Sequence, residues 1–510
     1  MKNRLPKEEG EIRVEQKSTK KFKLNISFGI INGVVSALQT FWFILYIKEH
    51  LGSEAYGYIS VINGIVGTLL VISSAVASMG TRYILVNIGK NNTEEAKRYF
   101  NSELVAMIIS GISIFLIGIL ITLNLHSVMN VRPEFYSEVQ ILFLMTIFSF
   151  SLQLLSSPFS ASFFYTNELY ITYVMYTLDY VTRIVVTIIL FSNNLSVLWS
   201  AAVATDVVYL VMLLFYVYYS YRKLSELNID FSYFRLAHLF NLIKSGIWIA
   251  VSSAGNMLLS SLNIYFANIL CGVLITGVYA SIMQFNIVSV MVLTVLVNSL
   301  LPKMFKLYSA NQTKKLYNYT IYAMHLSTLV LSIISGGIIV FGNDFMGFWM
   351  GNDFKGYQLL IFLTVVHLPI TLPSQILNQS FTVINKVKMP AIATIVFGVL
   401  NLVFALFFTK LLNLGIYGIV TSSLMVQVLR DNVFYPFYFS KITSIYSWKL
   451  LSPILSGVFG IIIMICISKI VYTLIAPSTL FLFVIDSVLS GGMGVLILWI
   501  LSKKNLMKEF

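Results

Sequence analysis

Residues 51–84 read LGSEAYGYISVINGIVGTLLVISSAVASMGTRYI. Between Glu54 and Arg82 no residue is charged, and the uncharged run exceeds the ~20 residues that a helix needs to cross a hydrocarbon core. A helix suits that solvent because it satisfies its own backbone hydrogen bonds. The run opens on Leu51-Gly52 and Gly57-Tyr58, and the pattern returns 220 residues later as Cys271-Gly272 and Gly277-Val278-Tyr279. The same offset carries Asn91, Thr93 and Tyr99 onto Asn311, Thr313 and Tyr319. Held constant, it superposes spans three to six on nine to twelve, so the chain reads as a duplicated bundle.

Outward from this stretch, similar runs recur. The first six spans are expected near 24–47, 56–80, 104–124, 139–163, 170–192 and 196–220. Six more are expected near 244–270, 276–301, 319–341, 358–384, 389–409 and 415–439, and two outside the repeat near 450–475 and 478–502. Of the 510 residues 57% are hydrophobic and 11% charged, with mean hydropathy +0.83. Soluble domains carry about 25% charged residues, so a water-soluble globule is excluded. The expected fold class is an all-α polytopic membrane protein of about fourteen transmembrane helices. Residues 1–23 form a basic tail, 24–220 and 244–440 two six-helix lobes, 221–243 a linker, and 441–510 the last two spans and C terminus.

The net charge of +13 raises the question of a nucleic-acid partner. The placement of the cations answers it. With the N terminus on the cytoplasmic side, alternate loops and tails hold 27 Lys and Arg on that side and five on the other. This is the positive-inside bias, and it places both termini in the cytoplasm. It also gives some attraction to anionic membrane lipids, and no nucleic-acid partner is expected. The chain opens on a polar stretch rather than a cleavable signal peptide. Cys271 and Cys466 lie far apart in apolar segments and form neither a metal site nor a disulfide framework.

In residues 51–84, Leu51, Gly52, Glu54, Gly57, Gly80, Thr81 and Arg82 fill a pattern that resembles the N-terminal signature of bacterial polysaccharide repeat-unit flippases. Those belong to the multidrug/oligosaccharidyl-lipid/polysaccharide (MOP) exporter superfamily. The resemblance in layout covers nearly the whole chain and implies two six-helix lobes around a V-shaped cavity, with two extra C-terminal helices. Peptidoglycan-precursor flippases carry arginines within the first two spans, and multidrug exporters often an acidic residue within the first. Here no Lys or Arg stands between Lys23 and Lys48, and the first span has no acid. The resemblance therefore implies an O-antigen, capsule or exopolysaccharide unit flippase acting by alternating access. Its substrate would be a polyprenyl-diphosphate-linked oligosaccharide, and a polysaccharide polymerase or export machinery a possible partner. A peptidoglycan-precursor flippase or a cation-coupled drug exporter is the alternative.

Ionisable groups at membrane depth are costly and face a cavity or a partner. Asp179 and Arg183 stand four apart on the fifth span and share a face. Arg183 and Arg430 are candidates for the diphosphate, since a guanidinium offers paired donors to phosphate oxygens, and Arg82 for the headgroup at the cytoplasmic mouth. The other role open to Arg183 is a self-neutralised pair with Asp179 that fixes packing, and to Arg82 a positive-inside anchor. Arg430 and Asp431 are adjacent, about 100° apart on a helix, and are expected to serve different neighbours. Asp206, with Asp179 and Asp431, is a candidate for ion coupling, or Asp206 bonds to Arg183 or another polar group. His325 and His367 read as hydrogen-bonded packing residues, and Asp486 as structural or at the lipid edge. Pro369 and Pro373 are expected to kink the tenth span. No Gly-x4-Gly-Lys-Ser/Thr loop or His-Glu-x2-His motif exists, so no cofactor, metal or enzymatic activity is expected. A polysaccharide polymerase or glycosyltransferase would show a large outer loop or a cytoplasmic domain.

Overall fold

The computed structural model describes residues 5–506 apart from 70, 194, 196, 385, 444–446 and 478. Side chains are described from residue 21 onward, with exceptions within 22–26, 53–78, 298–309, 444–448 and 478–480 and from 498 to the end. The first four residues of the expected basic tail and the last four of the C terminus lie outside the described residues. The chain divides into two units, Met1–Ala250 and Val251–Phe510.

In the first unit α1 (Leu5–Leu51) is one helix of 47 residues, so the basic tail from Leu5 runs into the first span without a break. Pro6 stands in its first turn, where its missing N–H is not needed. The Glu, Lys, Gln and Arg that follow are good helix formers. Gly52 ends α1 at φ +87°, a conformation that costs a residue bearing Cβ roughly 1–2 kcal/mol. Next come α2 (Ser53–Leu69) and α3 (Val71–Gly89). Asn91, at φ 56°, turns the chain into α4 (Thr93–Leu123), which Asn92 caps by accepting from the Glu95 N–H.

After α5 (Leu125–Val128) the loop is tethered at Arg132. Its guanidinium pairs with Glu54 at 2.7 Å, and its backbone N–H donates to the Tyr58 hydroxyl at 3.0 Å. This gives the acid of the 51–84 stretch a definite task. Glu54→Gln is expected to raise amide exchange across 129–135 while costing less than about 1 kcal/mol, because Arg132 is largely exposed. Unchanged exchange there would refute the tether.

α6 (Tyr136–Ser156) stops short of Pro158 and continues through a 3₁₀ turn into α7 (Ala161–Thr166). α8 (Tyr170–Ser192) and α9 (Ser200–Lys223) complete the first six spans. The turn before α8 is gripped by α1: Lys21 pairs with Glu168 at 3.1 Å, and Asn25 accepts from the Tyr170 N–H at 2.8 Å. The stretch from Leu224 to Arg235 is pinned to α4 as well. Asn101 donates to the Asn228 carbonyl at 3.1 Å and accepts from the Asp230 N–H at 2.9 Å, and Ser102 accepts from the Arg235 N–H at 3.2 Å. Asn101 is fully buried, so Asn101→Ala leaves two partners unsatisfied and is expected to cost about 1–3 kcal/mol. Faster exchange at 228–235 than at the core of α4 checks it; a uniform change would mean global destabilisation instead.

α10 (Leu236–Leu259) leads into the second unit, followed by α11 (Ser261–Cys271), α12 (Val273–Ser309) and α13 (Thr313–Met350). The tenth span is divided into α14 (Gln358–Val365), α15 (Leu368–Thr371) and α16 (Ser374–Val383). It bends by 40° at the break before Ser374, next to Pro373, so the expected proline kink is present. α17 (Lys388–Leu406) ends in a π-helical turn at Phe407–Leu411. α18 (Ile416–Val428) and α19 (Tyr435–Thr443) are joined by a second π-helical segment, Leu429–Phe434. α20 (Ser447–Ile475) and α21 (Leu480–Leu506) are the last two spans. His325 on α13 bonds to Ser452 and Ser456 of α20 at 2.9 and 3.1 Å. His367 bonds to Thr371 at 3.1 Å. Both are hydrogen-bonded packing residues. Asp486 on α21 is fully buried and accepts from Ser490, which fits the structural one of the two roles expected for it.

Among the described residues ten helices are long and apolar enough to cross a membrane, and the bent tenth span makes eleven. The second, twelfth and fourteenth spans are helical too, though broken or with shorter apolar runs. The molecule is an all-α, multi-pass membrane protein of about fourteen helices.

The duplication is visible in the backbone. Gly272 repeats the left-handed turn of Gly52 at φ +86°, and Asn311 that of Asn91 at φ 55°. α3 ends at Gly89 and α12 at Ser309, and α4 starts at Thr93 and α13 at Thr313, each pair 220 apart. Beyond this point the offset is not constant. The starts of α6 and α14 differ by 222 (358 less 136), of α8 and α17 by 218 (388 less 170), and of α9 and α18 by 216 (416 less 200). Loops of unequal length shift the frame while the helices keep their order.

Candidate functional site

Among the described residues each unit holds an arginine–aspartate ion pair within its spans, with the aspartate buried. In the first, Arg183 and Asp179 form an ion pair of 2.7 Å on α8, with Asp179 fully enclosed. Four-residue spacing sets both on one face. α8 is held to α1 by Asn32, which donates to Thr177 Oγ at 3.1 Å and to the Tyr173 carbonyl at 3.2 Å. Arg183 lies thirteen residues into α8, about 20 Å from its start. Its Nε and Asp179 Oδ1 are buried without a hydrogen-bond partner, so neither group is saturated.

Arg183 lines a cavity of about 100 Å³ within this unit, together with Asn63, Thr146, Ser149, Thr205 and Tyr209. It has room for water or a small anionic group beside the guanidinium. Ser149, on its wall, donates a hydrogen bond to Asp206. Asp206 stands six residues into α9, about 9 Å from its start. No ion pair reaches it among the described residues; of the two roles open to it, bonding to a polar group is the one present. Sequence spacing thus brought Asp179 and Arg183 together correctly. Asp206 is reached by Ser149 of another span, a contact that periodicity cannot reveal.

In the second unit Arg430 makes a forked contact with its own neighbour, Nε to Asp431 Oδ1 at 2.7 Å and Nη2 to Oδ2 at 3.1 Å. The expectation that these two serve different neighbours is corrected. The π-helical segment Leu429–Phe434 changes the angle between successive side chains, and the long arginine closes the rest. Nη1 also donates to Asn256 of α10 at 3.0 Å, and Ser374 donates to the Asp431 carbonyl at 2.8 Å. The guanidinium lies 5.6 Å from the Tyr435 ring centre, a cation–π distance. Arg82, just past the middle of α3, is exposed and belongs to neither cluster.

One buried acid escaped the sequence reading. Glu103 on α4 has no exposed surface, yet the third span was expected to begin at 104. A polar residue directly before an apolar run reads as loop, and only the helix start at Thr93 puts it inside. Among the described residues no three His, Cys, Asp or Glu side chains group as metal ligands.

No family model matches the chain. An uncharacterized membrane protein of Bacillus subtilis (strain 168), EpsK, is 26% identical over 452 residues, covering 86% of this chain and 88% of that protein. Among solved structures, an inward-facing multidrug resistance MATE family transporter of the MOP superfamily superposes with a TM-score of 0.71 at 15% identity, over 82% of this chain and 98% of that one. The lipid II flippase MurJ in an inward closed conformation gives 0.69 at 14% identity, over 96% of this chain and 99% of that one. A MOP superfamily transporter from Pyrococcus furiosus gives 0.61 at 14% identity, over 84% and 96%. The chain has the fold of the MOP superfamily transporters.

Proposed function

We propose that this protein is a MOP-type flippase that moves a polyprenyl-diphosphate-linked oligosaccharide from the cytoplasmic to the outer leaflet of the bacterial cell membrane. The observation that carries this is a buried, incompletely saturated arginine at membrane depth in a fold shared with a lipid II flippase. In this reading the lobes 24–220 and 244–440 alternate in access, and both termini are cytoplasmic, as the 27-to-5 charge bias supports. Arg183 meets the diphosphate, for which a guanidinium offers paired donors. Arg430 is the second lobe's own candidate for the diphosphate, and Arg82 meets the headgroup on entry. Asp179, Asp206 and Asp431 are the acids available for ion coupling.

The second reading is a cation-coupled multidrug exporter, favoured by the 0.71 superposition on a MATE transporter. A peptidoglycan-precursor flippase is the third, favoured by the coverage of MurJ. Deletion of the gene in its host separates them. The polysaccharide reading expects lipid-linked repeat units to accumulate on the cytoplasmic leaflet, with cell-wall synthesis and drug tolerance unchanged. Accumulation of the peptidoglycan precursor, or drug sensitivity with normal surface polysaccharide, would contradict it.

A further inference from the structure

Glu103 lies ten residues into α4, about 15 Å from its start. Ser157 donates to Oε1 at 3.3 Å, while Oε2 is buried with no hydrogen-bond partner among the described residues. On α3 the carboxyl faces Gly80, where an added Cβ would overlap Oε2, so the acid packs on bare backbone. The chargeable groups of the elements around α4 are engaged or directed elsewhere. Arg82 is exposed, Tyr83 bonds to Ser245, Glu138 of α6 accepts from the Leu198 N–H, and Tyr233 lies under Lys97. The 158–160 turn bears no charge. An ionised carboxylate without a counter-ion is costly in such a place.

The duplicated half provides a comparison within the same chain. In the frame of 220 that fits the ends of α3 and α12 and the starts of α4 and α13, Gly80 corresponds to Leu300 and Glu103 to Ala323. Ala323 is fully buried. One half carries glycine and glutamate at these positions and the other leucine and alanine, so the acid is not common to the two halves.

We propose that Glu103 is a proton-binding site, neutral while α3 rests on α4 through Gly80. It gives its proton to water only when the two helices part and Oε2 is wetted, so proton exchange is tied to that movement. This goes beyond the flippase reading and does not depend on which substrate is carried.

The test uses the full chain in lipid nanodiscs. Infrared spectra follow the carbonyl band of undissociated carboxyl groups in H2O and D2O, and deuterium uptake of residues 76–84 is followed as pH is raised. The wild type is expected to show a band component at neutral pH that Glu103→Gln lacks. As pH rises that component should vanish while uptake at 76–84 increases, and uptake in Glu103→Gln should stay flat. The pair Gly80→Leu with Glu103→Ala, which copies the second half, should insert and elute like the wild type with the component gone. A spectrum unchanged in Glu103→Gln would overturn the proposal. So would loss of the band on adding sodium at constant pH, which marks a metal-cation site, or failure of both variants to insert, which marks a structural acid.

Discussion

Asp431→Ala is expected to destabilise the protein by about 3–5 kcal/mol, the cost of leaving one member of a buried ion pair without its partner. The Arg430 and Asp431 side chains are 11% and 6% exposed, so solvent does little to replace the lost carboxylate. Both carboxylate oxygens receive guanidinium N–H groups, and Asn256 supplies the one remaining acceptor contact. Thermal unfolding in detergent should fall sharply for this variant. Replacing both residues, Arg430→Met with Asp431→Leu, should recover most of the loss, because an apolar pair of similar volume leaves no orphan charge. If Asp431→Ala unfolds at the wild-type temperature, the pair is not what holds the π-helical segment.

Arg183→Ala is expected to weaken binding of a polyprenyl diphosphate lipid by about ten- to a hundredfold. A hydrogen bond to a charged group contributes about 1.5–3 kcal/mol, and tenfold in affinity corresponds to about 1.4 kcal/mol. Asp179 competes with the phosphate for the same guanidinium, so Asp179→Asn should strengthen binding in protein that still inserts. Opposite signs at two residues 2.7 Å apart would not arise from a general loss of stability. Equal weakening in both variants would return the pair to a packing role.

The spans were legible because apolar length is a demand of the bilayer itself, and the duplication because two turns need particular backbones. Gly52 and Gly272, Asn91 and Asn311 are left-handed, which few other residues tolerate, so their spacing survives in the sequence. Loop length is under no such demand, and the offset slides from 220 to 216 by the sixth pair of spans. The site was legible only where partners are neighbours on a regular helix. Asp179 and Arg183 met that condition. Arg430 and Asp431 did not, because a π-helical segment changes the angle between adjacent side chains and leaves no mark in hydropathy. Ser149 with Asp206, and Glu103 with Gly80, are contacts between spans, and pattern within one span is silent about them.

The central claim is movement of a diphosphate-linked oligosaccharide between leaflets. Its most direct test is the sidedness of a fluorescent polyprenyl-diphosphate oligosaccharide in proteoliposomes containing the purified protein, read by an impermeant quencher. The account predicts that label placed in the leaflet facing the protein's cytoplasmic side reaches the other leaflet with the wild type, and stays where it began with Arg183→Ala and Arg430→Ala at equal reconstitution. Label that remains in place with the wild type across a panel of such lipids would contradict it.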